Sequence, residues 1–385
     1  MRRLLVLASA VVFLDIAFFS AIAPLLPDYV DDLGLSAAQA GILSASYATG
    51  TLLASLPGGF VASRLGPRTT VIVGLCMLGI ASVVFGFAGQ IVLLDAARFT
   101  QGVAGSLIWI GAISWLVSVA PVERRGSVIG TTLGTAVAGA LLGPALGALA
   151  GSVGTEPVFS SVLVVSLFLA LLAARLPDAE TRESQNLVKV GPTLITPPVI
   201  AAFTFVAVPS LMFGAVEVLV PLRIDSLGGS HAVIAAGFIV GAALEAGLAP
   251  LAGRFSDRRG RRAPYVGGLA VCVVAMVALA LAASLGMILV SLILASVGAG
   301  LCFAPAMALI SDIAAKAGLH QGYAAALTNL SWATGQVVGG IGGGVAASLT
   351  AEGVPSALIV AILVPTIIYA LRTVPIRATA ETAEA

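Results

Sequence analysis

This chain is poor in charge: Asp, Glu, Lys and Arg together make up 10% of its 385 residues. Soluble domains carry about 25%. With so little polar surface a folded core could not be kept in water, so most of the outside must face lipid. Cysteine and histidine are rarer still, at three and two copies. Cys76, Cys272 and Cys302 lie in separate apolar stretches, a pattern that suggests neither a disulfide framework nor a metal site. His231 and His320 fall in or near loops, and neither is assigned proton transfer. The sequence contains no phosphate-binding P-loop, dinucleotide fingerprint, nucleophile–base pair or metal constellation. Enzyme chemistry, a cofactor and direct use of ATP therefore find no support. A net charge of +1 names no partner, and nothing marks a nucleic-acid binder.

What the chain has in abundance is apolar length. Hydrophobic residues make up 59% and the mean hydropathy is +1.10. A helix needs ~20 apolar residues to cross the hydrocarbon core. Twelve spans are expected, roughly at 4–27, 38–58, 69–89, 91–119, 126–150, 158–175, 197–222, 231–252, 263–284, 286–311, 322–348 and 355–372. The runs are continuous rather than alternating, which argues against a β-barrel, and helices satisfy every backbone group internally, as lipid demands. Met1-Arg-Arg before Ala8-Ser-Ala10 imitates a secretory signal, but the apolar run ahead of Ala10 is too short and continues past Asp15 to Pro27. It is taken as the first span.

The few charges are unevenly placed. With the N-terminus in the cytoplasm and sides alternating, Arg2, Arg3, Arg64, Arg68, Arg124, Arg125, Arg175, Arg182, Lys189, Arg254, Arg258, Arg259, Arg261, Arg262, Lys316, Arg372 and Arg377 all fall inside. Outer loops keep only Arg223, beside Asp28, Asp31, Asp32, Glu156, Asp225 and Glu352. The positive-inside rule then puts both termini in the cytoplasm.

A basic loop occurs twice, 194 residues apart: Gly59-Phe-Val-Ala-Ser63-Arg64-Leu-Gly66-Pro67-Arg68, and Gly253-Arg254-Phe-Ser-Asp257-Arg258-Arg259-Gly260-Arg261-Arg262. Leu33-Gly34-x-Ser36 with Leu227-Gly228-x-Ser230, and Pro27 with Pro221, repeat at the same offset. Two related halves of one topology suggest a transporter that rocks about a central site. The expected organisation is an all-α membrane protein of twelve transmembrane helices in two pseudo-symmetric six-helix bundles. Residues 1–175 form the N-terminal bundle, 176–196 a polar cytoplasmic linker, and 197–385 the C-terminal bundle with a short tail.

The repeated loop resembles the signature of the major facilitator superfamily, Gly-x-x-x-Asp-Arg/Lys-x-Gly-Arg-Arg/Lys. The resemblance implies that Gly59, Arg64, Gly66, Arg68, Gly253, Asp257, Arg258, Gly260 and Arg261 latch a cytoplasmic gate. The first copy departs from the pattern at Ser63 and Pro67. The fifth span, with Gly130, Gly134, Gly139, Gly143, Pro144 and Gly147, resembles the antiporter signature of drug:proton antiporters, Gly-x8-Gly-x3-Gly-Pro-x2-Gly. Glycines spaced by four make a flat groove for a neighbouring helix, and Pro144 removes a backbone hydrogen bond. Gly335, Gly339 and Gly343 echo it in the eleventh span without the proline.

In the fourth span Arg98, Gln101 and Gly102 resemble the family's Arg-x-x-Gln-Gly motif, which the family uses in proton coupling. Asp95, Arg98 and Gln101 are spaced by three and lie near one face, so a structural Asp95–Arg98 pair is the alternative. An arginine within a span requires a partner or a water-filled cavity. Asp15, with Phe18 and Phe19 one turn on, and Glu217 resemble acids of vesicular monoamine transporters and their bacterial drug-exporter relatives. Asn329 stands near where those amine transporters are expected to carry an acid. A carboxylate beside aromatic faces suits a lipophilic cation. Phe213, Asn329, Trp109, Trp115 and Trp332 are further cavity candidates. Glu245 stands among small residues, where proton carriage and structural pairing compete evenly, and Asp312 is expected in a helix-end or loop contact. The functional expectation is export of small amphipathic, cationic compounds in exchange for protons, from a bacterial inner membrane, by a monomer embedded in the lipid bilayer. A transporter of neutral solutes such as sugars, or a non-transporting receptor with the same fold, are the alternatives.

Overall fold

The computed structural model describes residues 1–121, 125–178, 196–316 and 321–374; of residues 63, 125–127, 129, 257, 259, 315 and 321–325 it describes the backbone alone. The expectations for Arg124, Arg182, Lys189, His320 and Arg377 fall outside these residues. Among the described residues there are twelve helices of 19 residues or more, beside one short helix. In chain order they are α1 (Arg2–Ser20), the short α2 (Leu26–Leu33), α3 (Ala37–Leu65), α4 (Pro67–Phe87), α5 (Ile91–Val119), α6 (Arg125–Val153) and α7 (Thr155–Ala174). The second half contains α8 (Pro197–Ser226), α9 (His231–Arg259), α10 (Arg262–Ala280), α11 (Leu285–Lys316), α12 (Gln321–Leu349) and α13 (Val354–Thr373).

The first expected span is not one helix. α1 stops at Ser20, a 3-10 turn covers Ala23–Leu25, and α2 begins at Leu26. Pro24 and Pro27 each lack the N–H that would continue the ladder, so two donors are lost within one turn. The related helix α8 runs unbroken through Pro221, the counterpart of Pro27. Val218 stands where a counterpart of Pro24 would be, and a single missing donor does not break the helix there.

The duplication is visible in the backbone. Gly34 and Gly228 have φ of 62° and 76°, and Gly66 and Gly260 have φ of 82° and 91°. Each pair is one sequence repeat apart and sits at the same kind of helix end. Left-handed backbone is open to glycine and strained for other residues. Ser36 closes α3 with a capping box, donating its N–H to Gln39 Oε1 at 2.9 Å and accepting from Gln39 N at 3.3 Å; such a cap is worth about 1 kcal/mol.

Each half packs its own apolar core. One cluster centres on Leu75, Leu94, Ile108, Trp115 and Phe159, the other on Phe205, Met212, Leu269, Leu292 and Leu363. The clusters also trade residues: Ala23 packs into the second core and Val218 into the first. This exchange belongs to an end where the halves meet closely. There His231 Nε2 lies 2.6 Å from Asp28 Oδ1, and α3 meets α12 with Gly41 against Gly340 and Gly344. A Cβ at Gly340 would come 3.2 Å from Ala45 Cβ. Toward the basic loops the halves part. On α3, Leu56 is 46% exposed and Gly59 has no neighbouring atom within 4 Å of a Cβ position. The same open space surrounds Gly247 and Gly253 on α9. The result is a cleft sealed at one end and open at the end bearing the basic loops.

Ten spans among the described residues are long and apolar enough to cross a membrane by length and composition. α3 and α12 are not among them. These two helices face each other across the halves, so part of their surface is covered by protein instead of lipid.

Candidate functional site

The polar centre of the first half is built on the break in α1. The last carbonyls of a helix lack intrahelical partners, and here Arg98 of α5 supplies donors. Its Nη1 donates to Phe18 O at 3.2 Å and its Nη2 to Phe19 O at 3.1 Å. Nη1 also donates to Gln101 Oε1 at 3.1 Å, and Gln101 Nε2 donates to Ser82 Oγ at 3.0 Å. The arginine is 1% exposed, and its Nε has no hydrogen-bond partner. Its guanidinium carbon lies 5.2 Å from the ring centre of Tyr47 and 5.9 Å from those of Phe19 and Phe85.

Asp15 is 3% exposed and accepts a hydrogen bond from the Tyr47 hydroxyl at 2.9 Å. Among the described residues it forms no ion pair with Arg98, whose hydrogen bonds go to backbone and to Gln101. The carboxylate and the phenol fit only because position 105 is glycine: a Cβ there would lie 2.7 Å from Asp15 Oδ1 and closer still to the Tyr47 hydroxyl. Gly50 and Gly102 let α3 and α5 approach to backbone contact beside it, with Thr51 Oγ1 donating to Gly102 O at 3.1 Å.

Across the cleft, Glu217 of α8 is half-buried, hydrogen-bonds the side chain of Gln336 on α12, and lies within electrostatic reach of Arg98 and Glu245. Glu245 of α9 is half-buried against Gly300 of α11, where a Cβ would lie 3.1 Å from the glutamate Cγ. The sequence-expected acids Asp15, Glu217 and Glu245, with Arg98 and Gln101, therefore gather around one centre. Their halves meet through Phe19, whose ring centre is 4.7 Å from Tyr47 and 5.6 Å from Trp332 of α12.

Other expected residues go elsewhere. Phe18 is buried edge-on against Phe159 of α7 at 5.5 Å, away from the cleft. Residues one position apart on a helix point about 100° apart, so Phe18 and Phe19 could not both face it. Asp95 accepts from Ser46 Oγ at 3.2 Å instead of pairing with Arg98. Trp115 is 1% exposed and donates to Pro177 O at 3.3 Å, so it lines no cavity. Trp109 is half-buried against the first core and Phe213 against the second. Asn329 is half-buried on α12. Tyr47 and Gln336 belong to the site without a motif in the sequence to single them out; a lone tyrosine among small and apolar residues is the signal that α3 offers.

The glycine face of α6 packs on α1. A Cβ at Gly139 would sit 2.7 Å from Phe13 O, while Gly143 and Gly147 abut Ala17 and Ala21 still more closely. Gly130 and Gly134 do not share this face and have open space around them. Nine residues separate Gly130 from Gly139, two and a half turns, which places them on opposite sides. The helix continues through Pro144. The echo on α12 uses the same geometry: Gly335, Gly339 and Gly343 pack on α8 at Ala207, Leu211 and Ala215.

The basic loops are held within their own halves. Arg68 donates to Leu176 O at 3.1 Å and pairs with Asp178 at 3.5 Å. Arg261 pairs with Asp312 at 2.6 Å, the helix-end contact expected for that acid. The Arg64 guanidinium lies 4.9 Å from the Phe60 ring centre, and Arg258 is exposed.

The sequence profile of the Major Facilitator Superfamily matches residues 8–339 and 212–384. An MFS-type transporter, ppzB, of Metarhizium majus (strain ARSEF 297) is 28% identical over 125 residues, covering 31% of this chain and 27% of that protein. The quinolone resistance protein NorA of Staphylococcus aureus (strain MRSA252) is 25% identical over 119 residues, 31% of each chain. The chain thus spans less than a third of the length of these curated relatives. Among solved structures, a D-xylose-proton symporter superposes with a TM-score of 0.73 at 17% identity, covering 96% of this chain and 97% of that one. A bacterial homolog to the human lysosomal transporter Spinster, in an inward-facing and occupied conformation, gives 0.75 at 16% identity, covering 96% of each. At these identities the likeness is one of fold.

Proposed function

This chain belongs to the Major Facilitator Superfamily, a family of membrane transporters, and we propose that it exports small amphipathic cations in exchange for protons by alternating access. The observation that carries this reading is Asp15: a carboxylate buried in the first half, bonded by one phenol, beside an arginine that is engaged elsewhere. Burying an unpaired charge is costly, so a proton or a cation entering the centre changes its balance directly. Glu217 and Glu245 supply acidic groups on the opposite wall of the cleft, with Trp332 as an aromatic face. The faces of Phe19 and Tyr47 are already turned to Arg98, so a substrate cation is met from the second half. Competition between proton and cation for one set of carboxylates yields antiport when each conformation opens to one side.

On this reading the end bearing the basic loops is cytoplasmic, the sealed end faces out, and the conformation described is open to the cytoplasm. The protein works as a monomer in a bacterial inner membrane. The similarity to NorA supports an efflux role, while the similarity to the D-xylose symporter bears on fold alone.

Proton flux in proteoliposomes under an imposed pH gradient tests the proposal. A panel of lipophilic amines, neutral sugars and organic anions is added to the wild type and to Asp15→Asn. Amines alone should release protons, and Asp15→Asn should lose the signal by at least about tenfold, the scale of one functional charged group. A sugar crossing equally well through both proteins, with no amine response, would overturn it.

A further inference from the structure

The sealed end is closed by a contact that joins the halves. His231 is the first residue of α9, and its Nε2 lies 2.6 Å from Asp28 Oδ1 on α2. Each side chain is 36% exposed, so both are open to solvent at this end. The ring rests over Gly151, where a Cβ on α6 would lie 3.1 Å from Nδ1 and 3.4 Å from Cγ and Cε1. A bare backbone therefore seats the imidazole, and α6, α2 and α9 from the two halves converge on one side chain. The surroundings are acidic. Asp225 at the end of α8 lies within electrostatic reach of Asp28, Asp31 and His231, and Asp32 follows on α2. The last two turns of α6 and the first turn of α9 contribute no charged residue besides His231. The nearest arginine in sequence, Arg223, pairs with Glu352 and donates to Ala282 O at 3.1 Å.

We propose that His231 and Asp28 form a proton-responsive latch on the sealed end, strengthening closure there when the solvent on that side is acidic. Histidine is the side chain whose charge ordinarily changes between about pH 5 and 8. Protonated, it makes an ion pair with Asp28 and offsets the acids around it. Neutral, it retains one hydrogen bond and leaves those acids uncompensated. The stabilisation is thus present while the imidazole is protonated and Asp28 ionised, and is lost as pH rises and the imidazole becomes neutral. On the proposed orientation, which this inference takes from the function above, closing the outer end becomes coupled to the acidity that supplies the exchanged proton.

Hydrogen exchange of the full chain in lipid nanodiscs reads this without any transport assay. Exchange over residues 26–45 and 221–240 is followed at about pH 5.5 and about pH 8.5 and corrected for intrinsic rates. In the wild type, protection should fall about two- to fivefold toward alkaline pH, the size expected of a solvent-exposed pair. His231→Gln, which keeps a neutral donor, and Asp28→Asn should each give protection that no longer changes with pH. Wild-type protection that is flat with pH would overturn the latch, as would a wild-type response that persists in either variant. If amines drive no proton flux while the pH-dependent protection stands, the exporter reading fails and the latch survives. Normal flux with flat protection gives the reverse.

Discussion

Gly105 determines whether Asp15 can exist in its present setting. A methyl group there would lie 2.7 Å from one carboxylate oxygen and 2.8 Å from the other, inside the separation that unbonded atoms tolerate. Gly105→Ala should displace either Asp15 or Tyr47, costing about 1–3 kcal/mol as overpacking does. Amine-driven proton flux should fall at least about tenfold, which flux assays beside a melting curve would separate from simple unfolding. The sequence made Asp15, Arg98 and Glu217 conspicuous because charge is rare within apolar runs. Their partners were not legible. Asp95, Arg98 and Gln101 share a face by spacing, yet Asp95 turns to Ser46, because the approach of α3 decides which acceptors and donors meet. Tyr47 gives no signal in the sequence because its role depends on a carboxylate 32 residues away. His231 reads as a residue in or near a loop, although the fold brings it 2.6 Å from Asp28, 203 positions earlier.

At the scale of the helix, α6 carries two kinds of glycine that the sequence pattern does not distinguish. Gly143 lies against the backbone of α1, while Gly134 borders open space. Gly143→Ala should lower the melting temperature and impair transport. Gly134→Ala should leave stability unchanged or raise it by a few tenths of a kcal/mol, since alanine favours helix over glycine. Thermal unfolding of the two variants side by side checks this, and equal behaviour would contradict the packing described. The expected spans match the helices in number and approximate position, because continuous apolar length is a strong signal. The one span that differed contains Pro24 and Pro27, where two missing donors in succession outweigh a still-apolar sequence.

In the molecule as a whole, α12 has two bare faces. Gly335, Gly339 and Gly343 lie on α8 within their own half, while Gly340 and Gly344 lie on α3 of the other. The first face repeats the packing of α6 on α1, and the second belongs to the seal. Gly344→Val should therefore leave the second half folded but obstruct closure, shifting the population toward the opposite conformation. Distances between spin labels on the outer ends of α2 and α9 should lengthen, and an unchanged distribution would refute this. The twofold organisation was legible from the repeat of loops and prolines. The asymmetry of the centre was partly so: Leu292 stands one repeat after Arg98, fully buried in the second core. That asymmetry bears on how the protein is made. The carbonyls of Phe18 and Phe19 obtain their donors from a residue 80 and 79 positions later. The end of α1 therefore obtains these two donors only once α5 lies beside it in the bilayer, which ties the insertion of one segment to that of the other.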